Sequence, residues 1–122
     1  MGKSSEAFTF ELTLKNGITS NRRCNMIRVM IERKCQSGKD KQLRDLLLEL
    51  RSAGMRQPGY ISGETLREAD NPSVFMVIST WITRDAWKVW QTSKQRLLIE
   101  DMMNSLLTDA RKVRVFSEDY ED

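Results

Sequence analysis

The chain contains no histidine. Its absence removes the commonest acid and base near neutral pH and the commonest protein ligand of zinc and haem iron. Cysteine is scarce: Cys24 and Cys35 have neither metal-site nor redox-motif spacing, which points to free thiols in a reducing compartment, with a disulfide between them as the alternative. No apolar run approaches the roughly 20 residues that cross a bilayer. Lys3, Glu6, Glu11 and Lys15 interrupt the start of the chain, so no signal-peptide core forms there. These absences lead to the expectation of a cytoplasmic protein with no membrane partner. No nucleophilic triad, Gly-rich phosphate loop or metal-ligand spacing occurs, so no metal site is expected.

Charge of one sign is also missing as a block. The chain carries 20 Lys and Arg against 17 Asp and Glu, a net charge of +3. Charges of both signs are interspersed, and the last residues, Glu118, Asp119, Glu121 and Asp122, are acidic. Arg22, Arg23, Arg28, Arg33 and Lys34 form a short basic cluster that reads as solvated surface. Polynucleotide binders concentrate charge on one face, so no nucleic-acid partner is expected.

Tryptophan stands out against this background. Trp81, Trp87 and Trp90 lie in one short stretch that follows the apolar run Val74-Phe75-Met76-Val77-Ile78. The rings therefore fall where a strand hands over to a helix. Such a cluster builds either a dense core or the wall of an aromatic cavity, since each indole buries a large area and brings one N–H donor. Trp87 and Trp90 are three residues apart and share a helical face.

The 122 residues suffice for one domain with a single core. Residues 1–25 form an N-terminal extension, in which Phe8 to Leu14 alternates like a strand before the turn Lys15-Asn16-Gly17; an extra strand or an arm is expected. The main domain runs over 26–122. Ile27, Val29 and Ile31 alternate with Arg28, Met30 and Glu32 in a first strand. Ser37 or Asp40 offers a cap to a helix with Leu43, Leu46, Leu47 and Leu50 on one stripe. Tyr60 to Glu68 and Ser73 to Ile82 read as a hairpin around Asp70-Asn71-Pro72. Thr83 caps the tryptophan helix. A further helical stretch, Leu97 to Leu107, carries Leu98, Met102 and Leu106 as its apolar stripe, suited to packing or an interface. Lys112 to Ser117 makes a last strand. This order, βαββαβ, is an α+β ferredoxin-like plait, a four-stranded antiparallel sheet with helices on one face. The third strand is apolar on both parities, so the sheet is expected to pair face to face with a second copy.

With that organisation, the stretch Pro58-Gly59-Tyr60-Ile61-Ser62-Gly63-Glu64-Thr65-Leu66, followed by Val77-Ile78-Ser79-Thr80-Trp81, resembles the antibiotic biosynthesis monooxygenase family of dimeric α/β barrels. The strand Ile27 to Glu32 and the segment Asp85-Ala86-Trp87-Lys88-Val89-Trp90 fit the same pattern. The resemblance spans about residues 26–117. It implies a homodimer with a cavity in each protomer between sheet and helices, lined by Trp81. Family members of this kind oxidise aromatic polyketides without metal or flavin, or hold and degrade haem. Haem-degrading members need a histidine on the second helical segment and an asparagine in the first strand. Here there is no histidine, and the strand reads Ile27-Arg28-Val29-Met30. The resemblance therefore implies a cofactor-independent monooxygenase acting on an aromatic or quinone-like small molecule, with no cofactor. The alternative is a non-catalytic dimer that binds a small ligand or a partner protein.

Cofactor-free oxygenation needs a dry pocket, a base to form a stabilised carbanion, and a group to stabilise the resulting charge. Without histidine the base falls to a carboxylate or a tyrosine, with Glu64 and Tyr60 as candidates. Trp81, Trp87, Trp90 and Arg67 are the candidate cavity residues, with Arg67 or Arg28 as charge stabiliser. Each also has a plain alternative: core packing for the tryptophans, a strand-end rim position for Tyr60, surface ion pairs for Glu64 and the arginines. Strict alternation along the second strand places Tyr60 and Glu64 on one face and Arg67 on the other.

Overall fold

The computed structural model describes residues 26–117. The expected N-terminal strand or arm, Cys24 and the acidic end from Glu118 lie outside these residues. The elements follow the order β1 (Ile27–Lys34), α1 (Asp40–Gly54), β2 (Tyr60–Arg67), β3 (Val74–Trp81), α2 (Arg84–Gln91), α3 (Lys94–Asn104) and β4 (Lys112–Ser117). The strands form one sheet in the order β2-β3-β1-β4, with every neighbouring pair antiparallel. This is the expected α+β, ferredoxin-like plait.

The helix-facing parity of the sheet is set by hydrophobic alternation. On β1, Ile27, Val29 and Ile31 are buried and Arg28 is exposed. Their register partners Trp81, Ser79 and Val77 on β3 share that face. Helix α1 covers it with Leu43, Leu47, Leu50 and Ala53, the stripe expected from the leucine spacing. Leu46 is only partly buried against this core. Neither Ser37 nor Asp40 caps α1: the N-cap is Lys39 without a side-chain bond, and Asp40 is the first helical residue. Its carboxylate instead accepts a 2.7 Å hydrogen bond from Arg67 Nη2, which holds the Asp40 carboxyl below its usual range.

The chain enters β2 through Gly59, at φ 87. A Cβ there would lie 2.5 Å from Ala86 Cβ and 2.9 Å from Ile82 Cγ2, so only glycine lets this turn press against the start of α2. Thr83 caps α2 as expected, accepting a 3.1 Å bond from the Ala86 N–H. Ser93 does the same for α3, accepting from Arg96 N–H at 3.2 Å.

Helix α3 corrects the expectation that its apolar stripe packs inward and leaves that stripe at the surface, where an interface would use it. Leu98 and Met102, on the stripe chosen by apolar content, are 62 % and 48 % exposed, while Arg96, Ile99, Glu100 and Met103 face inward. The helix buries two charged residues because each finds an oppositely charged partner inside. Cys35 is a free, buried thiol whose S–H points at the Gln36 carbonyl, and burial pushes its pKa up. On the other sheet face, Met30, Met76 and Ile78 are half-buried, and Leu66 and Phe116 are exposed. No helix among the described residues is long and apolar enough to cross a membrane.

Candidate functional site

The tryptophans meet between the sheet and the helices. Trp81, at the end of β3, is 1 % exposed, and Trp87 and Trp90 on α2 are buried with it. The rings of Trp81 and Trp87 lie 5.8 Å apart at 57°. Tyr60 meets Trp81 edge-on at 5.3 Å, a favourable arrangement for two quadrupoles. The indole N–H of Trp81 donates to Ser79 Oγ at 3.0 Å, which fixes the ring's rotation. Gly54 of α1 allows Trp90 to come close, since a Cβ there would already be 3.5 Å from Trp90 Nε1.

These side chains border a space of about 50 Å³. It is wide enough for a few water-sized groups. All three tryptophans, Tyr60 and Glu64 line it, so the structure brings together five of the residues singled out in the sequence. Arg51 of α1 ties the helix to the edge strand beside the space by donating to the Gly63 carbonyl at 2.7 Å.

The expected parity of β2 is overturned by a bulge. The register shifts between Tyr60 and Ser62, so Tyr60 pairs with Trp81 and Gly63 with Ser79, on the helix-facing side. Gly63 leaves room for the Tyr60 ring, whose hydroxyl a Cβ at that position would meet. Glu64 pairs with Ile78 and so takes the opposite parity from Tyr60; it is exposed and borders the space from the edge strand. Arg67 returns to the helix-facing parity opposite Phe75, six residues along β3 from Trp81. There it pairs with Asp40 and stacks 4.8 Å over the Phe75 ring. Arg67 is thus not among the residues around the tryptophan space.

In its place the structure supplies a buried charge cluster that pattern reading missed. Arg33 continues the inward parity of β1 beyond Ile31 and is 1 % exposed, where the sequence pointed to solvated surface. Its Nη2 donates to Glu100 Oε2 at 2.6 Å. Arg96, one helical turn before Glu100, pairs with the same oxygen at 2.6 Å and lies 5.0 Å over the Trp87 ring. Arg111 approaches Glu100 Oε1 at 3.6 Å from a more exposed position. Burial lowers the pKa of Arg33 and brings that of Arg96 down to about 10, against the pull of Glu100. Arg33 and Arg96 both line the tryptophan space. The available signals were the position of Arg33 on the buried parity of its strand and the i,i+4 spacing of Arg96 and Glu100 around Ile99.

The site therefore offers an aromatic wall, one phenol and two desolvated guanidinium groups. These can hold a flat ring and stabilise negative charge on it. Among the described residues no cluster of acidic, cysteine or histidine side chains could hold a metal ion.

The sequence matches the family model described as antibiotic biosynthesis monooxygenase over residues 26–98. No curated protein sequence matches the chain. Among solved structures it is similar to SnoaB, a cofactor-independent oxygenase from Streptomyces nogalater, with TM-score 0.71 and 16 % identity over 80 % of this chain and 96 % of that one. A Mycobacterium tuberculosis protein superposes with TM-score 0.72 and 20 % identity over 79 % and 97 % of the two chains. A conserved protein from Methanosarcina mazei gives TM-score 0.73 and 16 % identity over 76 % and 92 %. At these identities the likeness to solved structures concerns the fold.

Proposed function

We propose a function from the premise that this chain belongs to the antibiotic biosynthesis monooxygenase family: it is a cofactor-independent monooxygenase acting on an aromatic or quinone-like small molecule. The observation that carries this reading is the space bordered by Trp81, Trp87 and Trp90 with Tyr60 and two buried arginines on its lining. In an anthrone-type substrate the ring carbonyl acidifies the opposite methylene. Loss of that proton gives a carbanion that passes an electron to dioxygen. The two radicals combine, and one oxygen atom ends in the new carbonyl while the other leaves as water. The protein's part is to keep water out, accept the proton, and stabilise the oxyanion formed on the ring.

Tyr60 is the proposed proton-transfer group, since it shares the helix-facing parity with Trp81. Oxygen uptake with dithranol, and quinone appearance in the same cuvette, test this. Tyr60→Phe is expected to lower the rate by about 100-fold, and Glu64→Gln, on the other strand parity, to leave it within about two-fold. No uptake across a panel of anthrones and quinols overturns the catalytic reading.

A second reading has its own observation. The space is about 50 Å³, whereas drug-sized ligands occupy pockets of about 300–1,000 Å³. A ring substrate must therefore move the tryptophans apart, and a non-catalytic module for a small ligand fits the space as it stands. That reading predicts ligand binding without oxygen uptake.

The partner we propose is a second copy of the chain, seated on the outer sheet face. Met30, Met76 and Ile78 give this face an apolar centre, and Leu66 and Phe116 extend it. Ile78→Glu places a charge at that centre and leaves the helix-facing core untouched. Analytical ultracentrifugation should find the wild type dimeric and this variant monomeric; a monomeric wild type removes the proposal.

A further inference from the structure

Beside the tryptophan space the buried charges do not balance. Arg33 and Arg96 are 1 % and 2 % exposed, and among the described residues both pair with one carboxylate, Glu100. Both contacts are to the same oxygen, Oε2. Arg33 Nε and Nη1 make no hydrogen bond among the described residues, although both are buried. Arg111, 3.6 Å from Glu100 Oε1, adds positive charge rather than relieving it. An excess cation held out of water is costly unless a counter-charge and hydrogen-bond acceptors reach it. Arg33 and Arg96 line the same space as the tryptophans, so a molecule in that space lies against both residues.

We propose that Arg33 and Arg96 form an anion subsite at the tryptophan space, taking one carboxylate group of a small organic acid. Three guanidinium groups, Arg33, Arg96 and Arg111, surround the one carboxylate of Glu100, and this positive excess selects an anion. Guanidinium donors are planar and match the two oxygens of a carboxylate. The volume of about 50 Å³ admits a group of that size. Trp87, beneath the Arg96 guanidinium, places an aromatic surface next to the anion. The inference rests on the space being a ligand cavity and is independent of oxygen chemistry.

Sodium acetate and acetamide, which match in shape and differ in charge, test it on the full chain at constant ionic strength. Acetate at tens of millimolar is expected to raise Tm by about 3 °C or more and to change tryptophan emission through Trp87; acetamide should do neither. Arg33→Met removes one fully buried cation and leaves Glu100 with Arg96 and the more exposed Arg111, so it should fold with a Tm at or above the wild type and lose the acetate response. A purely structural role for Arg33 predicts the reverse, a lowered Tm with the acetate response kept. Arg33→Lys retains the charge without the planar donors and should weaken acetate binding by about five-fold or more. Equal shifts from acetate and acetamide, no shift from either, or a full acetate response in both Arg33 variants overturns the proposal. Indole separates the two readings. An emission change with indole but none with acetate keeps the cavity and removes the subsite. An Arg33-dependent acetate shift in a protein without oxygen uptake keeps the subsite and removes the oxygenase reading.

Discussion

Replacing Glu100 by Gln is expected to lower stability by about 3–5 kcal/mol, because it strands two buried guanidinium groups without a counter-charge. Arg33 and Arg96 each lie 2.6 Å from its Oε2, and none of the three side chains is more than 3 % exposed. Their mutual repulsion, now attenuated by the shared carboxylate, would act across a desolvated space. For a domain of this size the loss is a fall in Tm of roughly 15 °C or more. Calorimetry or urea unfolding followed by tryptophan emission measures it. The contrast with Arg33→Met is the informative part. Removing the anion exposes the charge imbalance, whereas removing one cation reduces it, so variants of two directly bonded residues should move Tm in opposite directions. A Glu100→Gln protein as stable as the wild type would show that the cluster is hydrated rather than buried.

Trp81→Ala is the second large effect, expected to cost about 3–5 kcal/mol. The ring is 1 % exposed and packs against both Tyr60 and Trp87. Its removal leaves a hole next to an existing space, and the surrounding strands β1 and β3 are held in register and cannot collapse into it. Trp81→Phe keeps most of the ring area but leaves the Ser79 hydroxyl without its 3.0 Å donor, so a smaller cost of about 1–2 kcal/mol is expected. Both variants should also lose dithranol-dependent oxygen uptake, by about 10-fold or more for the alanine form. Measuring the rate well below each variant's own Tm, on protein with native circular dichroism, separates the loss of a wall from the loss of the fold.

The backbone plan was legible because it rests on alternation and turn chemistry. Ile27, Val29 and Ile31 announce β1, Asp70-Asn71-Pro72 the hairpin, and Thr83 the start of α2. The gathering of Trp81, Trp87 and Trp90 also followed from spacing, since a strand end and one helical face converge there. Three features were not legible, each for a physical reason. The bulge after Tyr60 inserts a residue without any residue type demanding it, and it reverses the face on which Glu64 was expected. Arg33 and Glu100 lie 67 positions apart, so no local pattern links them. Pattern reading therefore assigns each to the surface, where unpaired charges belong. As a guide to inward packing the Leu98–Met102 stripe misled for the same reason: hydrophobicity ranks it above the Arg96–Glu100 face, and only the partner on β1 reverses that order.

The most direct test of the proposed chemistry is the initial rate of oxygen uptake when the purified chain meets dithranol in an oxygen electrode. A rate proportional to protein concentration, abolished by prior denaturation and lowered about 100-fold by Tyr60→Phe, is the predicted result. A rate no greater than the protein-free oxidation of dithranol would contradict it and leave the tryptophan space as a binding site alone.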